Sequence, residues 1–189
     1  MDFEDDIKRS LAALKAGGVI LYPTDTIWGL GCDATNTSAI EKIIRIKSRE
    51  EGKSMIILVN GIDMLERYVK EIPQTALQLI SVSDSPLTII YPEGKNLASG
   101  ICDENGSVGI RICNEPFCNE LITRFRKPLV STSANLSGKA APANFSEIED
   151  VLVSLVDYCV SYKQDDRRKA SPSPVISIDK NGVLRILRK

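Results

Sequence analysis

Apolar residues along the chain switch between two periods, and the switches divide it into short helices and shorter strands. Ile7, Leu11 and Leu14 recur three and four apart within residues 2–16, one face of a helix, and Gly17 and Gly18 supply the stop. The unbroken apolar run 19–22, bounded by Pro23, predicts a buried strand. Ser38 and Glu41 have the spacing of a capping box and predict a helix that carries Ile40, Ile43, Ile44 and Ile46. Residues 55–59 predict the next strand. Two helices are expected around Pro73, the second with that proline in its first turn and with Leu77 and Ile80 buried.

Residues 87–91 and 108–112 predict strands around a polar loop, 93–106, and Pro116 opens a helix with Phe117, Leu121, Ile122 and Phe125 on one face. Further short strands are expected at 129–130 and 158–160, separated by a small-residue stretch and a helix near 148–155. The end, 175–187, predicts a hairpin, with Asn181-Gly182 favouring a primed turn. Helices and strands alternate and the chain closes antiparallel. That pattern predicts a single α/β domain over residues 1–189, a twisted mixed sheet flanked by helices.

Composition removes more chemistry than it adds. The 189 residues include no histidine, so a Ser-His-Asp triad, a Cys-His pair and a histidine-ligated metal are impossible. Five cysteines without a CxxC pair read as reduced and structural. The acidic start and the lack of a long apolar run predict a cytoplasmic protein without a membrane span. The formal net charge of −1 hides an asymmetry: residues 163–189 hold eight Lys/Arg against three Asp/Glu, a local +5 that leaves −6 elsewhere. Within them, 163–174 is expected to be a flexible loop or a lid.

Four polar clusters fall at predicted strand ends, where α/β sheets present ligand loops. The first is residues 23–31, with Thr24, Asp25 and Thr26 ahead of the single tryptophan and two glycines. The second, Lys47 and Arg49 with Lys53, suits either a helix C-terminus or a polyphosphate. The third sets Arg111 among apolar neighbours after Ser107, a placement that is costly unless an anion or a carboxylate meets it. The fourth is residues 131–138, with Ser131, Ser133 and Asn135. There is no GxxxxGK[ST] and no GxGxxG, so any nucleotide is held by another device.

In this order the clusters resemble the YrdC-like family of threonylcarbamoyl-AMP synthases, the TsaC type in its short form. "PTxTxxGLG" stands at 23–31, "KxR" at Lys47 and Arg49, "PLT" at Pro86 to Thr88, the arginine strand at Gly109 to Arg111, and "SxN" at Ser133 and Asn135. The resemblance implies a YrdC-like fold with a basic concave surface. It also implies an enzyme that makes threonylcarbamoyl-adenylate from L-threonine, bicarbonate and ATP, with Mg2+ carried by the nucleotide. The product would pass to a tRNA threonylcarbamoyl transferase complex. Lys47 and Arg49 would be catalytic, and with Lys53, Ser107, Ser133, Asn135 and Arg188 would hold ATP. Thr26, Leu58, Arg111, Ser131 and Ser173 would surround threonine.

Two departures stand out: Glu50 replaces the family's usual proline, and Ser173 is followed by Pro174 instead of threonine. Two alternatives go with the same fold, a double-stranded RNA or tRNA-binding module without catalysis and a carbamoyl transferase. The near-neutral total charge speaks against the first.

Overall fold

The computed structural model describes residues 3–48 and 55–189. Arg49, Glu50, Glu51 and Lys53 lie outside the described residues. In chain order the elements are α1 (Glu4–Lys15), β1 (Ile20–Tyr22), β2 (Gly29–Gly31), α2 (Thr37–Lys47), β3 (Ile56–Val59), α3 (Ile62–Tyr68), α4 (Gln74–Val82), β4 (Thr88–Tyr91) and β5 (Val108–Ile112). Then come α5 (Pro116–Phe125), β6 (Leu129–Ser133), a 3-10 turn (Phe145–Glu147), α6 (Asp150–Leu155), β7 (Tyr158–Cys159), β8 (Val175–Ile178) and β9 (Leu184–Arg188).

The strands form one mixed nine-stranded sheet in the order β7-β1-β2-β6-β3-β5-β4-β8-β9. β7 on β1, β3 on β5 and β4 on β8 are parallel, and the other neighbours are antiparallel. This is the mixed α/β sheet that the pattern predicts. Leu21, Leu30, Val130, Ile57, Val59 and Ile110 form its apolar centre with Ile7, Leu14, Ile40, Ile43, Phe117 and Leu121 from the helices. Among the described residues no helix is long and apolar enough to cross a membrane.

Several local expectations need correction. The cap of α2 is Asn36, whose side chain accepts from the amide of Ala39 at 3.2 Å, so Ser38 lies inside the helix. An Asx cap two residues earlier satisfies the same orphan amides. Pro73 stands just before α4, and Leu77 and Ile80 are only half-buried, while Ala76 is fully buried. The C-terminal turn is not primed: of its four residues only Gly182 has a positive φ, 80°. Asp179 instead shapes the turn by accepting from the amides of Asn181 and Val183, both at 2.9 Å.

Two further differences bear on the site. Residues 29–31, expected as part of a loop, form strand β2, and β6 extends through Ser131 and Ser133 instead of ending at 130. Glycine makes β2 possible. A Cβ on Gly31 would lie 2.5 Å from the Tyr22 ring and 2.8 Å from the Val130 carbonyl oxygen. Tyr22 occupies that space and donates to the same carbonyl at 3.1 Å, with burial pushing its pKa well up and keeping the hydroxyl protonated.

Candidate functional site

Strand register decides which polar residues share a face, because cross-strand partners project to the same side of a sheet. Gly29 pairs with Ser133, Ile56 pairs with both Ser131 and Gly109, and Leu58 pairs with Arg111. One continuous face therefore carries Ser133, Ser131, Ile56, Gly109 and Arg111. Small residues dominate it. Over them lies a cavity of about 330 Å³, whose lining includes Thr26, Trp28, Arg111, Ser131, Ser133 and Asn135.

Arg188 reaches this face through an irregularity. Ile176 pairs with Ile186, but Val175 pairs with Arg188, so β9 has one extra residue at that point. The bulge reverses the alternation and puts Arg188 on the side of Arg185 rather than of Ile186. Its Nε and Nη2 then donate to the Ser173 carbonyl at 3.0 and 2.7 Å. Ser173, 2 % exposed, accepts from Arg111 Nη1 at 3.1 Å and shares a 2.8 Å hydroxyl contact with Thr88.

Arg111 is 3 % exposed and its charge is met from within the protein. Asp25 Oδ1 lies 3.0 Å from Nη2, and Thr24 Oγ1 accepts from the same nitrogen at 3.4 Å. The carboxylate required by an arginine in a buried strand is thus Asp25, part of the first cluster but not among the expected binding residues. The signal was the pairing of two requirements, a buried cation on one strand and an acidic side chain at the end of another. Thr24 also accepts from the Thr26 amide at 3.0 Å and donates to the Ile27 carbonyl at 2.8 Å, which fixes the turn around Asp25. Among the described residues Arg111 Nε and Asn135 Oδ1 are buried without a hydrogen-bond partner, one an unmatched donor and the other an unmatched acceptor.

Lys47 stands differently from its expected role. It is 3 % exposed, and its ammonium donates to the backbone carbonyls of Ser133 and of Asn135, the latter at 2.7 Å. Its own carbonyl accepts from the Ser137 amide at 3.0 Å. The end of α2, turned by Ser48 at φ 48°, thereby clasps the loop that follows β6. Lys47 does not line the cavity in this structure; it shapes the loop that does. The expected threonine contact Leu58 shares this face, in register with Arg111, but is fully buried and does not line the cavity. Ser107 lies at the start of β5, outside this cavity, with its hydroxyl donated to Asp103 at 2.6 Å. That bond, with further amide donors, holds the Asp103 carboxyl below its usual range.

The face brings together Thr26, Ser131, Ser133, Asn135, Arg111, Ser173 and Arg188. It also adds Lys139, which enters the lining while paired to Glu149 at 2.5 Å. A lone lysine in a loop without helical or strand periodicity left no mark in the sequence. Segment 163–174 borders the site. Lys163 is bound to Glu115 at 2.8 Å, the Ala170 amide donates to the Ala143 carbonyl at 3.0 Å, and Pro172 and Ser173 join the cavity wall.

Among the described residues, the lining has three cations, Arg111, Lys139 and Arg188, and no carboxylate. Such a lining suits a ligand with several negative charges. It is also a poor place for a resident divalent metal. No group of three or more Cys, Asp or Glu able to hold one occurs among the described residues.

The family model Sua5_yciO_yrdC, described as "Telomere recombination", matches residues 12–189. The threonylcarbamoyl-AMP synthase of Psychromonas ingrahamii is 35% identical over 154 residues, 80% of this chain and 81% of that protein. The protein of the same name from Stenotrophomonas maltophilia is 32% identical over 182 residues, 95% of this chain and 97% of its own. The fold is that of P. abyssi Sua5 complexed with L-threonine, with a TM-score of 0.85, 24% identity, and coverage of 98% of this chain and 54% of that one. It is also that of E. coli YciO, with a TM-score of 0.84, 24% identity, and 98% and 89% coverage. A match over nearly all of its length, with relatives at this identity, means that the chain belongs to the Sua5/YciO/YrdC family.

Proposed function

We propose that this protein is an L-threonylcarbamoyladenylate synthase, which condenses L-threonine, bicarbonate-derived CO2 and ATP and releases pyrophosphate. The observation that carries the reading is the cavity lined by cations and hydroxyls, with a partly unmatched arginine at its base. The names of the relatives favour a synthase over an RNA-binding module or a carbamoyl transferase.

The chemistry suits a site without histidine. Threonine's ammonium gives up two of its three protons to solvent as its nitrogen adds CO2, giving a carbamate anion that keeps one N–H. A carbamate oxygen then forms a bond to the α-phosphorus of ATP, and the bond to the β-phosphate oxygen breaks, its electron pair leaving with pyrophosphate. No general base is needed at the phosphorus step, because the nucleophile is already an anion. The protein supplies alignment and positive charge.

Arg111, with its guanidinium plane set by Asp25 and Ser173, would receive the amino-acid carboxylate, with Thr26 and Ser131 beside it. Ser133, Asn135 and Arg188 would face the nucleotide, with Arg49 and Lys53 expected to add charge. Asn135 Oδ1, an unmatched acceptor, suits an amino group of a base. Lys47 would act through the loop that it clasps. Mg2+ would enter as part of the nucleotide substrate. The product would feed a tRNA threonylcarbamoyl transferase complex, and direct contact with tRNA is part of the same proposal. Segment 163–174 would be the lid that excludes water from carbamate and anhydride.

The decisive measurement is pyrophosphate release from ATP and bicarbonate, with and without L-threonine. Threonine-dependent release is expected; release that ignores threonine, or none, overturns the reading. For the lid, replacing residues 165–170 with glycines should raise unproductive ATP hydrolysis and lower adenylate yield. Truncation before Lys163 would be a poor test, since it also removes β8 and β9 from the sheet.

A further inference from the structure

On the side of β5 away from Arg111 lies a second cavity, of about 380 Å³. Period-two alternation puts Ile110 and Ile112 on that side, beside Ile89 of the neighbouring strand, and they form an apolar floor. Its polar rim holds three carboxylates, Asp25, Asp84 and Glu115, and no Lys or Arg among the described residues. Two of them are already bound from behind, Asp25 by Arg111 and Glu115 by Lys163. Asp84 has no ion pair among the described residues and is exposed.

We infer that this cavity binds a small organic amine with an apolar tail, and that its occupancy is coupled through Asp25 to the amino-acid site. The apolar floor would take the tail, and the carboxylate rim the ammonium. A neutral or anionic molecule of the same shape would satisfy the floor and leave Asp84 without a cation. Coupling follows from the order of charges, ammonium, Asp25 carboxylate, Arg111 guanidinium, amino-acid carboxylate. Each neighbour in that series is of opposite sign. A cation that draws on Asp25 leaves Arg111 more of its charge for an incoming carboxylate, and by reciprocity a carboxylate on Arg111 strengthens the amine site. The coupling rests on the proposed threonine site; the cavity's occupancy does not.

The test is calorimetric titration of the full chain with n-pentylamine, n-pentanol and n-pentanoate at neutral pH. Saturable binding of the amine is expected, with the alcohol at least about tenfold weaker and pentanoate showing none. Asp84→Lys, on an exposed residue that makes no ion pair with Arg111, should reduce amine affinity about tenfold or more without loss of threonine binding. Equal binding of amine and alcohol, no saturable amine binding, or an indifferent Asp84→Lys variant overturns the site. Adding L-threonine should raise amine affinity roughly fivefold. If threonine binds and amine affinity stays the same, the coupling is overturned. If threonine does not bind at all, the threonine assignment fails, while the titration without threonine still decides the cavity.

Discussion

The two cavities flanking β5 share a strand and little else. One lies over Ser131, Gly109 and Arg111 and presents cations and hydroxyls, and the other lies over Ile110 and Ile112 and presents carboxylates around an apolar floor. Alternation along five residues separates these opposite chemistries. They meet at one point, the Arg111–Asp25 pair, where a cation of the first is neutralised by an acid that also lines the second. Burial makes this pair costly to disturb, whereas exposed pairs such as Lys70–Glu93 are cheap to lose.

The sharpest way to break the contrast is Arg111→Met. It removes the amino-acid anchor and leaves Asp25 unpaired in a poorly solvated setting, so we expect a stability loss of about 3–5 kcal/mol in denaturant unfolding. Threonine-dependent pyrophosphate release should fall by about three orders of magnitude or more. A double variant, Arg111→Met with Asp25→Leu, should recover much of the stability and none of the activity. That outcome would separate the pair's structural role from its recognition role.

Lys47→Met tests the clasp. Two backbone carbonyls of the loop after β6 lose a charged donor, and unfolding should show a loss of about 2–4 kcal/mol. If Lys47 acts through the loop, Lys47→Arg should restore stability in part, with KM for ATP raised more than kcat is lowered. A kcat collapse at unchanged stability would instead put the ammonium on the phosphates.

Gly31→Ala tests the close approach of Tyr22 to the small-residue face. The added methyl meets a ring edge and a carbonyl, so a cost of about 1–3 kcal/mol is expected in thermal unfolding, relieved by pairing it with Tyr22→Leu.

The smallest effect concerns pH. Asp103 has a depressed carboxyl pKa, so its stabilising contribution is present above the unfolded carboxyl value and is lost as pH falls through the folded one. Amide exchange at Asn105 and Ser107, whose N–H groups donate to Asp103, should therefore quicken on acidification below about pH 4. Ser107→Ala should shift that transition upward in pH.

Much of this was legible in the chain. Period and punctuation located α1, α2, α5, β3, β4 and β5 to within a residue or two, because each has an amphipathic stripe or a short apolar run with a proline or glycine at its edge. Strand β2 was not, since Gly29-Leu30-Gly31 has neither β-branched residues nor alternation and is a strand only because Tyr22 and β6 flank it. That a buried Arg111 needs an anion or a carboxylate follows from pattern alone, but the identity of its partner depended on how the end of β1 approaches the end of β5.

The sequence by itself determined the class of fold, the exclusion of histidine chemistry and the set of side chains available to hold an anion, because these depend on local period and composition. Tertiary structure decided how those side chains are used. Lys47 became the clasp of a loop, Ser107 turned to Asp103, Leu58 was buried beside Arg111 outside the cavity wall, and Arg188 came to the site by way of a bulge. The physical reason is the same in each case. A side chain's role follows from which strand face it occupies and which partner is already within hydrogen-bond reach, and both are settled only when distant segments pack.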